Sequence, residues 1–539
     1  MKKILSLFFA PMAIFSLGQW NNDYEINTLV AEGQTEDIQS IGTNDGKTWI
    51  IFWDQTDGYV LRVQLLDADG NRMLGENGIL ANSVANNSSW TATRSQTVDG
   101  DGNLIIGFTA TGDGNGYVNK FSQDGEQVFG DAGINLGGAW NLNLAASNDG
   151  SLFVGWEDGS NGQTKVMKYD ETGAPQWGSP VVMSSPDSSK PFTGMGEMSV
   201  LSDNSVIVLF STKATSWTVD AIRWAQRLSA DGTPMWVAPV QVSNQTVRSN
   251  RFYRIINQND VTFFGYYGST GFRFDSFLQR IEADGSLPWG ANGADFSTDD
   301  AYYEMETSIA HAEDSSFIWA ATNLTNSNQS LYGLAVQKFD METGERLLDD
   351  ASKIIFEVNS NSWIHVGDLQ LAGNKPLILF SNGISNGVNS IQLGVTLLDE
   401  DGEFKWEDEY QWIATSNNNK SRYDFTKNVD GQSVAVWAES RNGSSHAYAQ
   451  NIVVEDLPMT TVDQNPSVIK IYPNPTSGIL NIQSEKPLSS VEVIGLNAQV
   501  LNKAKGVNSI DIQNLPAGTY LIKLKTKDGK VITRKVIKR

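Results

Sequence analysis

The sequence predicts an all-β protein, formed mainly by a β-propeller of about eight blades and followed by a small β-sandwich. Three observations support this fold class. Short apolar runs recur along most of the chain, a second acidic turn ending in glycine follows all but the last of these runs at a fixed phase, and no segment of helical length has a 3.6-residue hydrophobic period. The chain has 539 residues, of which 40% are hydrophobic, so it is long enough for more than one core.

The first marker is an apolar run introduced by an acidic or amide turn. It occurs eight times between Asp45 and Asp430, at an average spacing of about 55 residues. The copies are TWIIFW (48–53), NLIIGF (103–108), SLFVGW (151–156), SVIVLF (205–210), VTFFGY (261–266), SSFIWA (315–320), KPLILF (375–380) and QSVAVW (432–437). Repeats of this length are typical of propellers and solenoids.

The second marker is an alternating strand that ends in an acidic turn with glycine, often followed four residues later by tryptophan. The turn glycines are Gly70, Gly125, Gly173, Gly232, Gly285, Gly344 and Gly402, and the tryptophans are Trp177, Trp236, Trp289 and Trp406. The eighth unit ends in AYAQNIVV and has no such turn. Because Asp-Gly supplies the positive φ angle of tight turns, each unit is predicted to contain about four short strands.

Four-stranded units of this kind stack radially, so that each small sheet is covered by its neighbours. Eight blades are favoured, seven are possible if one unit is degenerate, and a linear β-solenoid is an alternative. The repeats resemble those of exported bacterial β-propellers, and the resemblance extends from Tyr24 to about Asp456.

The N-terminus has the pattern of a signal peptide over residues 1–18. Lys2 and Lys3 precede an apolar run from Ile4 to Leu17, and cleavage is expected ahead of Gln19. That run is short for a membrane span, although an N-terminal anchor is the alternative, and no integral membrane segment is expected in the mature protein. The chain contains no cysteine, which excludes disulfides, thiol nucleophiles and thiolate metal sites.

Charge divides the chain into two parts. The net charge is −23, but residues 467–539 carry +8, and the sequence between the signal peptide and this tail carries −33. Such an acidic middle excludes nucleic acid as a partner. The sequence therefore predicts a propeller over residues 19–456, a linker over 457–466 and a C-terminal domain over 467–539.

The tail contains two specific motifs, YPNPTSG near its start and LPAGTY before its last hairpin. The residues that define them are Tyr472, Pro473, Asn474, Pro475, Gly478, Pro516, Gly518 and Tyr520. These features resemble the type A C-terminal sorting domain of the type IX secretion system. One departure is the spacing of Gly495 and Gln499, which such domains usually have side by side.

The resemblance implies a small immunoglobulin-like β-sandwich that the type IX secretion machinery recognises at the outer membrane. In that family a sortase-like protease usually removes the domain, and the cargo is then anchored to lipopolysaccharide or released. The protein is therefore expected to pass through the periplasm and to end at the cell surface or in the medium.

Reactive side chains form no recognisable catalytic pattern in the sequence. His311, His365 and His446 lie in different units, and the GxSxG match at 383–387 lies between two predicted strands, not before a helix. No catalytic residue, metal ligand or cofactor is predicted. Calcium is an alternative at the DADGN and DGDGN turns that begin at Asp67 and Asp99, although neither has an acidic twelfth residue.

Carboxylates are too numerous for the sequence to select a catalytic pair. The densest loop group contains Asp299, Asp300, Glu304 and Glu306, and a solvated acidic loop is the expected structure there.

Aromatic residues recur upstream of each predicted inner strand. The ligand-binding candidates among them are Trp90, Trp140, Tyr303, Trp363 and Tyr423; Phe192 and Tyr253 have equivalent positions. At one mouth of the propeller they would form stacking platforms for a glycan or a peptide. The alternative is that they fill gaps between blades.

The leading functional hypothesis is a non-enzymatic binding or adhesion protein for an extracellular glycan or protein. A secreted polysaccharide hydrolase or lyase is one alternative, because propellers can host carboxylate chemistry. A structural component of the surface layer is the other.

Overall fold

The computed structural model divides the chain into two compact units, Met1–Leu457 and Pro458–Arg539. It describes residues 20–21, 23–56, 58–82, 94–110, 112–215, 221–247, 255–269, 273–313, 315–359, 362–384, 390–454, 470–472, 476–484, 487–495, 500–516, 518–527 and 531–539. The predicted signal peptide and linker, Trp90, Tyr253, Pro473, Asn474 and Pro475 lie outside these residues and stay predictions.

The first unit is all-β and contains eight sheets in the described ranges. Blade 1 contains β2 (Thr35–Gly42), β3 (Thr48–Asp54), β4 (Val60–Leu66) and β5 (Ile79–Leu80), and blade 2 contains β6 (Arg94–Val98), β7 (Leu104–Thr109), β8 (Gly116–Phe121) and β9 (Ile134–Asn135). Blade 3 contains β10 (Ala139–Ala146), β11 (Leu152–Asp158), β12 (Gln163–Tyr169) and β13 (Val181–Met183). Blade 4 contains β14 (Phe192–Val200), β15 (Val206–Lys213), β16 (Ile222–Leu228) and β17 (Val240–Gln241).

Blades 5 to 8 continue the pattern, and the first strand of the chain belongs to the last of them. Blade 5 contains β18 (Thr246–Val247), β19 (Ile255–Gln258), β20 (Val261–Ser269), β21 (Asp275–Ile281) and β22 (Ala294–Asp295), and blade 6 contains β23 (Tyr303–Ala310), β24 (Phe317–Thr325), β25 (Tyr332–Asp340) and β26 (Lys353–Asn359). Blade 7 contains β27 (Ser362–Ala372), β28 (Lys375–Ile384), β29 (Ile391–Leu397) and β30 (Gln411–Ala414). Blade 8 contains β31 (Lys420–Phe425), β32 (Gln432–Arg441), β33 (Ser444–Val453) and, from the N-terminus, β1 (Thr28–Ala31).

Each blade is an antiparallel sheet, and in most blades consecutive strands are neighbours, from the innermost to the outermost. In blade 5 the consecutive strands β18 and β19 both pair with β20 and not with each other, and in blade 8 the order is β31, β32, β33 and then β1. Successive blades contact one another around the unit, and β31 contacts β2, which closes the ring. The eight-bladed propeller predicted from the repeats is therefore confirmed, and the linear solenoid is excluded.

The hydrophobic core lies between blades, because each short apolar strand has both faces covered. Trp49 and Trp53 of blade 1, for example, pack with Phe108 of blade 2 in one cluster, and all three side chains are fully buried. Six further clusters join the other blades in the same way, including one that unites blade 8 with blade 1. This arrangement explains why the apolar runs are continuous and not alternating.

The second unit contains two sheets in its described residues. Its strands are β34 (Lys470–Tyr472), β35 (Ile479–Gln483), β36 (Leu488–Ile494), β37 (Val500–Ala504), β38 (Ser509–Asp511), β39 (Gly518–Thr526) and β40 (Val531–Lys538). The sheets have the orders β34-β35-β38 and β37-β36-β39-β40, and residues of both form one buried cluster. This is the predicted β-sandwich.

The described residues include no helix, and hence no helix that is long and apolar enough to cross a membrane.

Candidate functional site

A cavity of about 680 Å³ opens where the inner strands of blades 7, 8, 1 and 2 face the propeller axis. Its charged lining residues are Asp37, Asp368, Arg422, Asp424 and Lys427. The volume is within the range of about 300–1,000 Å³ found for ligand sites.

The inner strands that form the axial wall carry β-bulges. Register shifts occur in β2, β10, β14, β23, β27 and β31. In β2, for example, Asp37 and Ile38 lie between the paired residues Glu36 and Gln39. A bulge turns side chains away from the direction that regular pleating would give them.

At four of these bulges a residue other than glycine has a left-handed backbone. The residues and their φ angles are Asp37 (49°), Asn141 (46°), Glu306 (62°) and Arg422 (54°). This conformation costs about 1–2 kcal/mol for most L-residues with a Cβ atom, and less for Asp and Asn, which adopt it more readily. All four side chains are charged or carry an amide, so equivalent positions in blades 1, 3, 6 and 8 keep polar groups at a conformational cost.

Arg422 and Asp37 meet where blade 8 adjoins blade 1. The Nε atom of Arg422 lies 3.6 Å from Oδ1 of Asp37, and the two side chains are 51% and 26% exposed. Tyr423, the residue after Arg422, also lines the cavity, and its hydroxyl group is 2.8 Å from Oγ of Ser381 in blade 7. This corner of the cavity therefore presents a guanidinium, a carboxylate and a phenol.

Other polar side chains of the cavity wall hold neighbouring blades together. The Ser40 backbone N–H of blade 1 donates to Oδ2 of Asp424 of blade 8 at 2.7 Å. The side-chain amide of Gln370 donates to the carbonyl of Phe425 at 2.9 Å, which joins blade 7 to blade 8. These contacts fix blades 7, 8 and 1 relative to one another at the cavity wall.

Lys427 provides the second cation of the lining. Its Nζ donates to Oδ1 of Asn44 at 2.5 Å, and burial lowers the pKa of its ammonium group. It therefore joins blade 8 to the first turn of blade 1.

The four described aromatic candidates lie in inner strands: Trp140, Tyr303 and Trp363 are among the first two residues of β10, β23 and β27, and Tyr423 is the fourth of the six residues of β31. Trp140 lies in β10 against the backbone of Gly159, and the Tyr303 ring is 5.9 Å from that of Phe274, edge to face. Phe274 belongs to blade 5 and Tyr303 to blade 6, so this contact is between blades.

Trp363 and Tyr423 lie on blades 7 and 8. Trp363 is 49% exposed, and its ring centre is 6.2 Å from that of Tyr332 in blade 6. Among the described aromatic candidates, Tyr423 alone lines the axial cavity, so the structure does not bring these residues together in one platform.

Sequence reasoning missed Asp37 and Arg422. Arg422 could have been identified from its position beside Tyr423, because apolar and polar residues do not alternate there as they do in a regular strand. The pairing with Asp37 has no local signal, because the two residues are near opposite ends of the propeller sequence.

A second group of carboxyls lies between blades 5 and 6. Glu304 is only 2% exposed, and its Oε2 accepts a hydrogen bond of 3.1 Å from the backbone N–H of Ser276. Burial raises the pKa of Glu304 well above its usual value, and the carboxylates of Asp295 and Asp275 raise it further. Loss of hydration also raises the pKa of Asp295 to about 6, although the residue is exposed at the surface. The expected solvated acidic loop is thus wrong for Glu304, which is buried in β23, whereas Asp299 and Asp300 are exposed.

The acidic turns considered for calcium are closed by their own hydrogen bonds. Oδ1 of Asp99 accepts from the backbone N–H groups of Asp101 and Asn103, at 3.0 and 2.9 Å. The Lys120 ammonium lies 3.0 Å from Oδ2 of Asp99 and neutralises it. Within the described ranges, no group of three or more histidine or carboxylate side chains is arranged to hold a metal ion.

The described parts of the two tail motifs have clear structural roles. The hydroxyl group of Tyr520 is 2.7 Å from the carbonyl oxygen of Pro516, to which it donates, and the ring is buried in the sandwich core. Gly478 follows Thr476, whose Oγ1 accepts from the Gly478 backbone N–H at 3.0 Å. Each motif therefore fixes a turn at the beginning of a strand. The backbone of Tyr472 lies in β34.

Comparisons with known proteins give two kinds of likeness. Among solved structures, the chain is similar to the Dos1 propeller (12% identity, TM-score 0.41, 78% of this chain and 93% of that chain). It is also similar to the β-propeller domain of the trilobed protease from Pyrococcus furiosus (10%, 0.40, 71% and 99%) and to an ulvan lyase of a new polysaccharide lyase family (14%, 0.35, 73% and 91%). No curated protein matches the sequence. The family model described as a secretion system C-terminal sorting domain matches residues 470–539, and the chain therefore ends in a type IX sorting domain.

Proposed function

We propose that the protein is an exported, non-enzymatic binding protein whose axial cavity binds an extracellular glycan or protein ligand. The sorting domain implies export, followed by secretion or attachment to the cell surface. The left-handed backbone of Asp37 and Arg422 at the cavity is the observation that carries the binding proposal.

The conformational argument is that glycine would serve better at these positions if only the fold mattered. A left-handed residue with a Cβ atom is retained against a cost, and such positions cluster where side chains meet ligands. Arg422 is half exposed although it lies beside the carboxylate of Asp37, so its guanidinium keeps N–H groups in contact with solvent. A guanidinium next to a carboxylate offers both donors and acceptors to the hydroxyl and amide groups of a glycan or a peptide.

The binding test uses glycine variants, because glycine removes the side chain and suits the backbone conformation. The intact exported protein is screened on glycan arrays and in polysaccharide pull-downs, and the D37G and R422G variants are compared with it. We expect each variant to remain folded and to lose at least ten-fold in affinity.

The matched control is Ser352→Gly. Ser352 is also left-handed, with φ of 64°, but it precedes β26 at the outer edge of blade 6. This variant should bind as the wild type does. Unchanged binding in D37G and R422G would refute the cavity as the site, and Trp363→Ala would then test the exposed aromatic residue instead.

The export route forms the second part of the proposal. Residues 1–18 would be removed as a signal peptide, and a sortase-like protease of the type IX machinery would remove the tail. Deletion of residues 470–539 should leave the protein in the periplasm, as measured by fractionation and immunoblotting. Arrival of the shortened chain at the cell surface would contradict this route.

A polysaccharide hydrolase or lyase is the second candidate, favoured by the carboxyl groups between blades 5 and 6. A group with a pKa near 6, such as Asp295, has the protonation behaviour of a general acid at neutral pH. Activity on plant and algal polysaccharides that disappears in Asp295→Asn, while cavity variants retain it, would support this candidate over the binding proposal.

A further inference from the structure

In the described part of the chain, blade 8 has no outer strand from the C-terminal part of the propeller. Its outermost strand, β1, comes from the N-terminus and pairs with β33 through Thr28 with Ala449 and Leu29 with Tyr448. Without β1, the edge of β33 would present unpaired backbone groups. We call residues 20–31 the latch segment.

Trp20 begins the latch segment and lies in a socket that is repeated around the propeller. Its indole contacts the turn at Gly70 of blade 1, and its Nε1 donates to the Ala68 carbonyl at 2.9 Å. Trp177, Trp236 and Trp289 contact Gly232, Gly285 and Gly344 of the following blade in the same way. Their Nε1 atoms donate to the carbonyls of Ala230, Ala283 and Glu342, each two residues before the glycine, at 3.0, 3.0 and 3.2 Å.

Those three tryptophans come from the turn that precedes the outer strand of the preceding blade. Up to Val454, the last described residue of blade 8, this blade has neither such a turn nor such a strand of its own, and Trp20 followed by β1 supplies both. The latch segment therefore has the contacts of the missing half of the eighth repeat.

A second set of contacts holds the middle of the latch segment. The guanidinium NH1 of Arg441 donates to the Ile26 carbonyl at 2.7 Å, and the side-chain amide of Asn27 donates to the Ile413 carbonyl of blade 7 at 2.8 Å. The backbone N–H of Thr415 donates to the carbonyl of Tyr24 at 2.8 Å. Blades 7, 8 and 1 thus all bind the segment.

Arg441 is oriented for this contact by groups that do not belong to the latch segment. Its Nε lies 2.8 Å from Oε1 of the fully buried Glu439, and its guanidinium lies over the Tyr448 ring, 4.0 Å from the centre. The Nε1 atom of Trp437 also donates to Glu439, at 2.8 Å. The groove is therefore organised by residues of blade 8 itself.

We propose that the latch segment is held as a peptide ligand is held, in a groove formed by blades 7, 8 and 1, and that this groove binds the same peptide when it is a separate molecule. The segment leads to β2 through Glu32, Gly33 and Gln34, of which Glu32 and Gln34 are exposed. Because the first residues of the propeller complete its last blade, the ring closes only after the whole propeller has been made.

The proposal is tested by cutting the connection in the folded protein. A recognition site for a sequence-specific protease is inserted between Glu32 and Gly33, and the protein beginning at Gln19 is purified intact and then cleaved. We expect the peptide to elute with the propeller in gel filtration. An excess of fluorescent peptide of residues 19–32 should replace it slowly, and the same peptide with Trp20→Ala should dissociate at least ten-fold faster.

The matched control is Trp289→Ala in the cleaved protein, which empties the equivalent socket between blades 5 and 6. This variant should retain the latch peptide with the dissociation rate of the wild type. Loss of the peptide upon cleavage, with or without unfolding of the propeller, would overturn the proposal. Equal dissociation rates for the wild-type and Trp20→Ala peptides would also overturn it.

Discussion

Oδ1 of Asp37 and Nε of Arg422 lie 3.6 Å apart across the junction of blades 1 and 8, and both residues have a left-handed backbone, with φ of 49° and 54°. The first inner strand of the ring and the last one meet here. The same junction is closed on its outer side by the latch segment, so the polar corner of the cavity exists only in the closed ring.

Because the backbone of Arg422 is left-handed, glycine at this position should be more stable than alanine, the reverse of the order expected in a regular strand. Alanine keeps the Cβ atom and hence the left-handed cost, whereas glycine removes it. We therefore expect Arg422→Gly to be more stable than Arg422→Ala by about 1 kcal/mol. The free energy of unfolding by urea measures the difference.

The neighbouring strand residue Ser421 is the control for this order. It pairs with Ala438 in the sheet, and there the alanine variant should be the more stable one. If the alanine variant is more stable than the glycine variant at Arg422 as well, the left-handed conformation of Arg422 carries no cost.

The tryptophan sockets predict different effects at two glycines of blade 5 that share a left-handed backbone. Gly285 has φ of 90° and a Cβ atom added there would lie 3.0 Å from the Trp236 indole, whereas Gly290 has φ of 83° and no atom within 4 Å. Alanine at Gly290 should cost about 1 kcal/mol through the backbone alone, and alanine at Gly285 about 1–3 kcal/mol more through overpacking. Thermal and urea unfolding of both variants test this, and equal costs would contradict close packing in the socket.

The buried Glu304 carboxyl predicts a pH dependence of stability. Its pKa is raised above the usual 4.5 by burial and by Asp295 and Asp275, so ionisation opposes folding. This group therefore favours the folded state most below pH 4.5, and its contribution falls as the pH rises through the folded pKa. Glu304→Gln does not titrate and keeps an acceptor for the Ser276 N–H group.

The advantage of Glu304→Gln over the wild type should therefore grow as the pH rises above 4.5 towards the raised pKa of Glu304, by up to about 1.4 kcal/mol per pH unit. Urea unfolding at pH 4, 6 and 8 measures it. A constant difference across this range would mean that Glu304 has an ordinary pKa.

Glu439 and Lys420 are buried charges that lie next to Arg441, and removal of the anion should destabilise the protein more than removal of the cation. Burial would raise the pKa of Glu439, but hydrogen bonds from Arg441, Ser416 and Trp437 outweigh burial and lower it. Glu439→Gln leaves Lys420 and Arg441 without their carboxylate and should cost about 3–5 kcal/mol. Lys420→Met leaves one balanced pair, so we expect its cost to be less than half as large.

Lys420 also has a pH signature, because burial lowers its pKa to about 8 from 10.5. The unfolded chain binds the extra proton between these values, so the stability of the wild type should rise from pH 8 to pH 10.5 relative to Lys420→Met. A parallel pH dependence of the two proteins would contradict the lowered pKa.

The repeats determined the fold because each blade is encoded locally. Asp-Gly turns such as Asp45-Gly46 fix the hairpins, and runs such as TWIIFW form strands buried on both faces, so the blade count could be read along the chain. The tail motifs were equally local: Tyr520 contacts Pro516 only four residues away. The C-terminal sorting domain and the all-β class followed from such features.

The candidate site could not be predicted in the same way. Asp37 and Arg422 become neighbours only when blade 8 reaches blade 1, and the bulges that hold them break the two-residue alternation by which strands are recognised. The burial of Glu304 likewise depends on blade 5, which supplies Asp275 and Asp295. The sequence by itself determined the repeating unit and the export tail, since both depend on contacts within a few dozen residues. Only the tertiary structure decided which side chains meet at the axis and how Trp20 closes the ring, because these contacts join the two ends of the propeller.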